Sequence, residues 1–129
     1  SEPGVFMHGP TYMGNPLACA VANASLEIIL EGHWKKQVSA IEHQLIDTLL
    51  PLSRYSSVAD TRVLGAIGVV EMKQAVNVAE IQALSIERGA WIRPFGKLIY
   101  IMPPYPITSD ELATLVQAID FAIGRLYPD

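Results

Sequence analysis

The chain has 129 residues, half of them hydrophobic and 17% charged, with a net charge of −4. This suffices for one globular domain with a real core, while the acidic balance and the lack of a basic cluster argue against a nucleic-acid partner. The single cysteine, Cys19, excludes an intrachain disulfide and fits a reducing, cytoplasmic setting, and no run reaches the ~18 uninterrupted apolar residues of a membrane span.

The opening Ser1-Glu2-Pro3-Gly4 has loop composition and lacks the basic-then-apolar order of a signal peptide, as expected of a chain cut from a longer one. Next comes His8-Gly9-Pro10-Thr11-Tyr12-Met13-Gly14-Asn15-Pro16. Two glycines supply conformations that side chains forbid, and two prolines fix φ and remove donors. Asn15 suits an N-cap and Pro16 the first helical position. A stiff polar loop feeding a helix start suits an anion such as a phosphate; an ordinary loop with an ordinary cap is the other reading.

A first helix is predicted over residues 16–31, ended by Gly32, with Leu17, Val21, Ala24 and Ile28 on one stripe. It is apolar nearly all round at its start, which predicts burial on more than one side. A second helix, about 33–50, carries Val38, Ile41, Leu45 and Leu49 inward and ends at Pro51. Two strand-like runs follow, 58–64 and 66–72, and Gly65 and Gly68 predict a bend or bulge there. Asn77 can cap a third helix over 78–88, with Ile81, Leu84 and Ile86 partly apolar, stopped by Gly89. Residues 90–93 and 98–102 read as two more strands. Thr108 and Glu111 have the offset of a capping box, opening a last helix that buries Leu112, Leu115, Val116, Ile119 and Ile123. Two helices followed by ββαββα imply an α+β fold with a mainly antiparallel sheet and helices on one face. Residues 1–31 differ in kind from the compact remainder, 32–129.

Arg93, in Trp91-Ile92-Arg93-Pro94-Phe95, needs a partner among bulky apolar neighbours. Its planar fork matches a carboxylate bidentately; an ion pair with Glu71 is the alternative. Tyr100, on the following strand, reaches the same place if the two segments pair as a hairpin; a core tyrosine with a satisfied hydroxyl is the plainer reading. His8, His33 and His43 have no metal-ligand spacing. None of Lys35, Lys36, Lys73 and Lys97 sits in an apolar context that would activate its amine, and no nucleophile, phosphate-loop or dinucleotide motif occurs. The residues supply an anion loop and a carboxylate-binding arginine, with no catalytic group between them.

The blocks 6–20, 63–71 (Val63-Leu64-Gly65-Ala66-Ile67-Gly68-Val69-Val70-Glu71) and 91–100 (Trp91 to Tyr100) together resemble the class III aminotransferases, pyridoxal-phosphate enzymes of the aspartate-aminotransferase fold. The last two blocks resemble the branch that moves the amino group of S-adenosylmethionine to 8-amino-7-oxononanoate in biotin biosynthesis. The resemblance implies the C-terminal part of such an enzyme. Residues 1–31 would be the cofactor-phosphate loop and connecting helix of the large domain, and 32–129 the small domain. It implies that Pro10 and Thr11 contact the phosphate of pyridoxal 5'-phosphate, Thr11 across a homodimer interface. It implies further that Gly9 lies against substrate, that Arg93 holds the substrate carboxylate and that Tyr100 lines its pocket. The lysine that anchors the cofactor would lie upstream, leaving the 129 residues inactive alone. Tyr12 departs from the family, where a phenylalanine is familiar. Another class III aminotransferase with different substrates, or a free-standing α+β module that binds a small carboxylate through Arg93, are the rival readings.

Overall fold

The computed structural model describes Gly4, Gly9 and residues 11–128. It divides into two compact units, residues 1–34 and 35–129. In the first, a 3₁₀ turn over Thr11–Gly14 leads into helix α1, Pro16–Leu30. The Asn15 side chain accepts a hydrogen bond from the Ala18 amide at 3.0 Å, so the predicted cap is in place with proline at the helix start. None of the α1 residues is buried. The expected burial on more than one side is therefore not met within the described residues; Leu17 and Leu30 are 75% and 82% exposed.

The second unit carries the core. Helix α2, Trp34–Thr48, stops earlier than expected, because Pro51 falls within a 3₁₀ turn, Leu50–Arg54, that continues the chain. Strands β1, Val58–Leu64, and β2, Ile67–Met72, form a hairpin through the two-residue turn Gly65-Ala66. Gly65 takes φ +54°, open to glycine at little cost. The bulge that the glycines suggested lies elsewhere, between Val58 and Asp60. Gly68 has a different use: a Cβ there would come within 2.8 Å of Leu49 Cδ2, so the absent side chain lets the sheet approach the α2 region. Helix α3, Val78–Glu87, is capped by Asn77, whose side chain accepts from the amides of Ala79 and Glu80. Strand β3, Leu98–Ile101, completes an antiparallel sheet in the order β1-β2-β3. Helix α4, Ser109–Leu126, closes the unit.

Residues 90–93 do not join the sheet as the expected fourth strand. Pro94 has no N–H to donate, and contact with β3 shrinks to one bridge between Phe95 and Leu98 around a tight turn at Gly96, φ +58°. The period-two burial nevertheless survives there: Ile92 and Pro94 are buried while Trp91 and Arg93 are exposed. On the sheet, Val58, Gly68, Val70, Met72, Ile99 and Ile101 face inward. The apolar ones join a single core cluster with Ile41, Leu45 and Leu49, with Ile81, and with Leu112, Val116, Ile119 and Ile123 of α4. The helices thus cover one sheet face, as an α+β layout requires. On α3, Ile86 turns outward and Ser85 takes the buried position instead, its hydroxyl donating to the Ile81 carbonyl at 2.7 Å.

The capping box of α4 is complete. The Thr108 amide and hydroxyl donate to Glu111 Oε2 at 2.9 and 2.8 Å, and the Glu111 amide donates back to Thr108 Oγ1. These bonds, the backbone one first, hold the Glu111 carboxyl below its ordinary 4.5. A lowered folded-state value contributes stability above pH 4.5 and loses it as pH falls through the folded value. Thr108→Ala is expected to cost about 1 kcal/mol at pH 7, read as a shift in urea midpoint. The loss should shrink as pH falls through the folded-state value of Glu111, because protonation there undoes half of the box; a loss that stayed equal down to full protonation would contradict the reciprocal arrangement.

Candidate functional site

Arg93 and Tyr100 are brought together. Both line one hollow of about 290 Å³, with Trp91, Ile92, Met102 and Pro103. Trp91 and Arg93 reach it because they alternate outward along an extended segment, and Tyr100 and Met102 because they alternate outward at the end of the sheet. The turn at Gly96-Lys97, closed by paired Phe95 and Leu98 backbone bonds of 2.9 Å, folds the two segments side by side. One guanidinium among indole, thioether and proline surfaces can clamp a carboxylate while apolar walls receive a hydrocarbon chain.

Glu71, the acid nearest at hand for Arg93 from the sequence, is taken by another cation. Arg62 Nη1 donates to Glu71 Oε2 at 2.6 Å and to Asp60 Oδ2 at 2.7 Å. The register explains the choice: Arg62 lies opposite Val69, and Asp60 opposite Glu71, on the outer sheet face. The hydrogen bond from Arg62 holds the Asp60 carboxyl below its usual range. Arg93 is exposed and, among the described residues, has no carboxylate partner.

Thr11 is exposed in the first unit, at the head of a turn whose next residues take left-handed angles: Tyr12 φ 58°, Met13 φ 52° and Gly14 φ 73°. For Tyr12 and Met13 this conformation costs roughly 1–2 kcal/mol each, since Cβ crowds the following carbonyl. The turn closes through the Asn15 amide donating to the Tyr12 carbonyl at 2.9 Å. Gly9 is exposed, and among the described residues nothing lies within 4 Å of where a Cβ would stand. Pro10 and His8 lie outside the described residues. His33 is within 3.8 Å of Glu31, and His43 Nδ1 lies 2.6 Å from the Ser39 carbonyl, both local contacts. Among the described residues no group of three His, Cys, Asp or Glu side chains could hold a metal, and no helix is long and apolar enough to cross a membrane. All four lysines are exposed.

The sequence reading missed Trp91 and Met102 as walls of the hollow. The available signal was the same alternation that singled out Arg93: a large apolar residue two positions before it, on the same outward face.

The family profile described as aminotransferase class-III matches residues 1–123. The chain is 57% identical over 120 residues to the adenosylmethionine-8-amino-7-oxononanoate aminotransferase of Corynebacterium glutamicum, covering 93% of this chain and 28% of that protein. It is 45% identical over 123 residues to the enzyme of the same name from Saccharomyces cerevisiae, covering 90% of this chain and 26% of that protein. Its fold matches the crystal structure of the Methanocaldococcus jannaschii protein of that name with a TM-score of 0.78 at 28% identity, over 92% of this chain and 30% of that one. A thermostable (S)-enantioselective omega-transaminase from Thermomicrobium roseum matches with a TM-score of 0.81 at 28% identity, over 98% and 30%. The chain spans less than a third of the length of these relatives.

Proposed function

This chain belongs to the class III aminotransferase family, and on that premise we propose that it is the C-terminal part of an enzyme that moves the amino group of S-adenosylmethionine to 8-amino-7-oxononanoate, giving 7,8-diaminononanoate for biotin. The identities to relatives of that name support the substrate pair. The observation that carries the reading is Arg93, an arginine without a carboxylate partner among the described residues, beside Tyr100 in a hollow with apolar walls.

Arg93 then holds the acceptor's carboxylate with both arms of its fork. Ile92, Trp91 and Met102 receive the adjoining methylene chain, and Tyr100 lines the same slot. Gly9 would lie against substrate, and among the described residues nothing stands within 4 Å of where its Cβ would be. The residues of the first unit fit a cofactor phosphate. The Thr11 hydroxyl is exposed just ahead of the start of α1, whose positive end favours an anion. Thr11 and Pro10 would hold that phosphate, Thr11 reaching into a partner subunit's site in a homodimer. Pyridoxal phosphate, when bound, supplies the electron sink that lets an amino group leave one carbon and join another. This chain's own part is to bind, orient and select; it contributes no catalytic group. On the same reading residues 1–31 belong to the large domain and 32–129 form the small one, in a cytoplasmic enzyme.

The 129-residue chain mixed with pyridoxal phosphate is expected to show no stoichiometric bound-cofactor absorbance and no transaminase turnover, because on this reading the lysine that anchors the cofactor belongs to an upstream part of the enzyme and none of the four lysines here, all exposed, sits in an apolar context that would activate its amine. A saturable bound-cofactor spectrum would overturn the division of the site. A different substrate pair on the same fold is the second reading, favoured by the omega-transaminase likeness. Assaying the full-length enzyme with S-adenosylmethionine against simple amines as donors separates the two: preference for the simple amine would favour the second.

A further inference from the structure

A second hollow, of about 650 Å³, lies where the C-terminal end of α3 meets one face of α4, and it shares no lining residue with the hollow around Arg93. Thr114, Gln117, Phe121 and Gly124 recur every three or four positions and present one stripe of α4 to it. Arg88 and Arg125 stand at its edge. With Arg54 nearby on Asp120, three of the chain's five arginines gather here, in a protein whose net charge is −4.

The acid in this hollow is already engaged. Asp120 Oδ1 accepts from Arg54 Nη2, and from the Tyr55 hydroxyl at 2.8 Å. Arg88 and Arg125 have no carboxylate partner among the described residues. Glu87, next to Arg88 in sequence, is exposed and does not line the hollow. Arg88 is also held in place: its guanidinium carbon lies 3.7 Å from the centroid of the Phe121 ring. A stacked guanidinium keeps its N–H edges free in a fixed plane, ready for a planar or tetrahedral oxyanion. Both arginines sit at the ends of helices, which carry only about half a negative charge each, so each leaves a positive surplus. The size is that of a site for a small molecule.

We propose that this hollow binds a compact polyanion, a small metabolite carrying two phosphoryl or carboxyl groups, between Arg88 on Phe121 and Arg125, with Gln117 as a neutral donor. Arg88 sets the orientation because it is stacked; Arg125, on the last turn of α4, supplies the second charge. Gly124 keeps the floor open: a Cβ there would meet the Tyr55 hydroxyl at 2.8 Å and displace it from Asp120.

The test is titration of the full 129-residue chain with inorganic pyrophosphate, malonate and, at matched ionic strength, sodium chloride, followed by calorimetry and by backbone amide NMR shifts. Saturable binding of pyrophosphate or malonate is expected, with shifts concentrated at residues 86–90 and 114–125. The stronger of the two names phosphoryl or carboxyl as the preferred group. Arg88→Ala and Arg125→Ala should each weaken binding at least tenfold while the amide spectrum outside residues 86–90 and 114–125 shows the fold retained, and Arg88→Lys should recover only part of it. Shifts that chloride reproduces, or binding indifferent to both alanine variants, would overturn the proposal.

Discussion

Arg93→Ala in the full-length enzyme is expected to lower kcat/KM for 8-amino-7-oxononanoate by roughly 30- to 5,000-fold, the equivalent of about 2–5 kcal/mol for breaking one half of a desolvated charge pair. On the proposed reading the half-reaction with S-adenosylmethionine should change far less, because the walls beside Arg93, Trp91, Ile92, Met102 and Pro103, suit a carboxylate at the end of an apolar chain better than one on a polar amino-acid head. Arg93→Lys should recover only part of the loss, since an ammonium keeps the charge and forfeits the fork. Measuring the two half-reactions separately decides the matter. An equal loss in both would remove the carboxylate role and leave Arg93 as a general electrostatic feature. Stability should barely move, because Arg93 is exposed and no carboxylate among the described residues depends on it.

Ile119→Ala is expected to destabilise the second unit by about 2–5 kcal/mol, seen as a lower urea midpoint with an unchanged slope. Ile119 is 0% exposed, on the α4 stripe that closes the core over the sheet. Small domains have only about 5–15 kcal/mol in total, so this one side chain carries a large share. Ile86→Ala is the matched control: the same side chain, 60% exposed on α3, should change stability by less than about 0.5 kcal/mol. If the two variants melted alike, the α4 stripe would not be the centre of the core.

These two isoleucines also mark what the sequence could and could not tell. On α4 the apolar spacing is regular over eighteen residues and a capping box fixes its start, so Ile119 and the helix limits were readable. On the ten-residue α3, a short and weakly patterned helix, the choice between Ile86 and Ser85 for the inward position depends on rotation about the helix axis, which neighbours decide. The segment 90–93 has strand-like residues and keeps strand-like alternation, yet Pro94 denies it a ladder; composition registers the first two facts and not the last. For the candidate site, the sequence offered Tyr100 beside Arg93 only on condition that their segments pair as a hairpin; the turn at Pro-Phe-Gly-Lys brings both to one hollow with a single bridge in place of a ladder. The release of Arg93 from Glu71 was not readable, because it hangs on which cross-strand neighbour Arg62 meets. The arginine hollow at α3 and α4 assembles residues from distant stretches, 88 and 114–125, and no local motif announces it.

Helix α1 has fifteen ordered residues and none of them buried. Isolated helices of this length are marginal in water and gain most of their strength from packing. Its amide protons should therefore exchange with solvent through local fraying, on a scale unrelated to global opening, while those of β2 and α4 wait for the whole core to open. The core cluster lies within the second unit, so a two-state treatment that spreads the measured enthalpy over all 129 residues would understate the value per residue of that core.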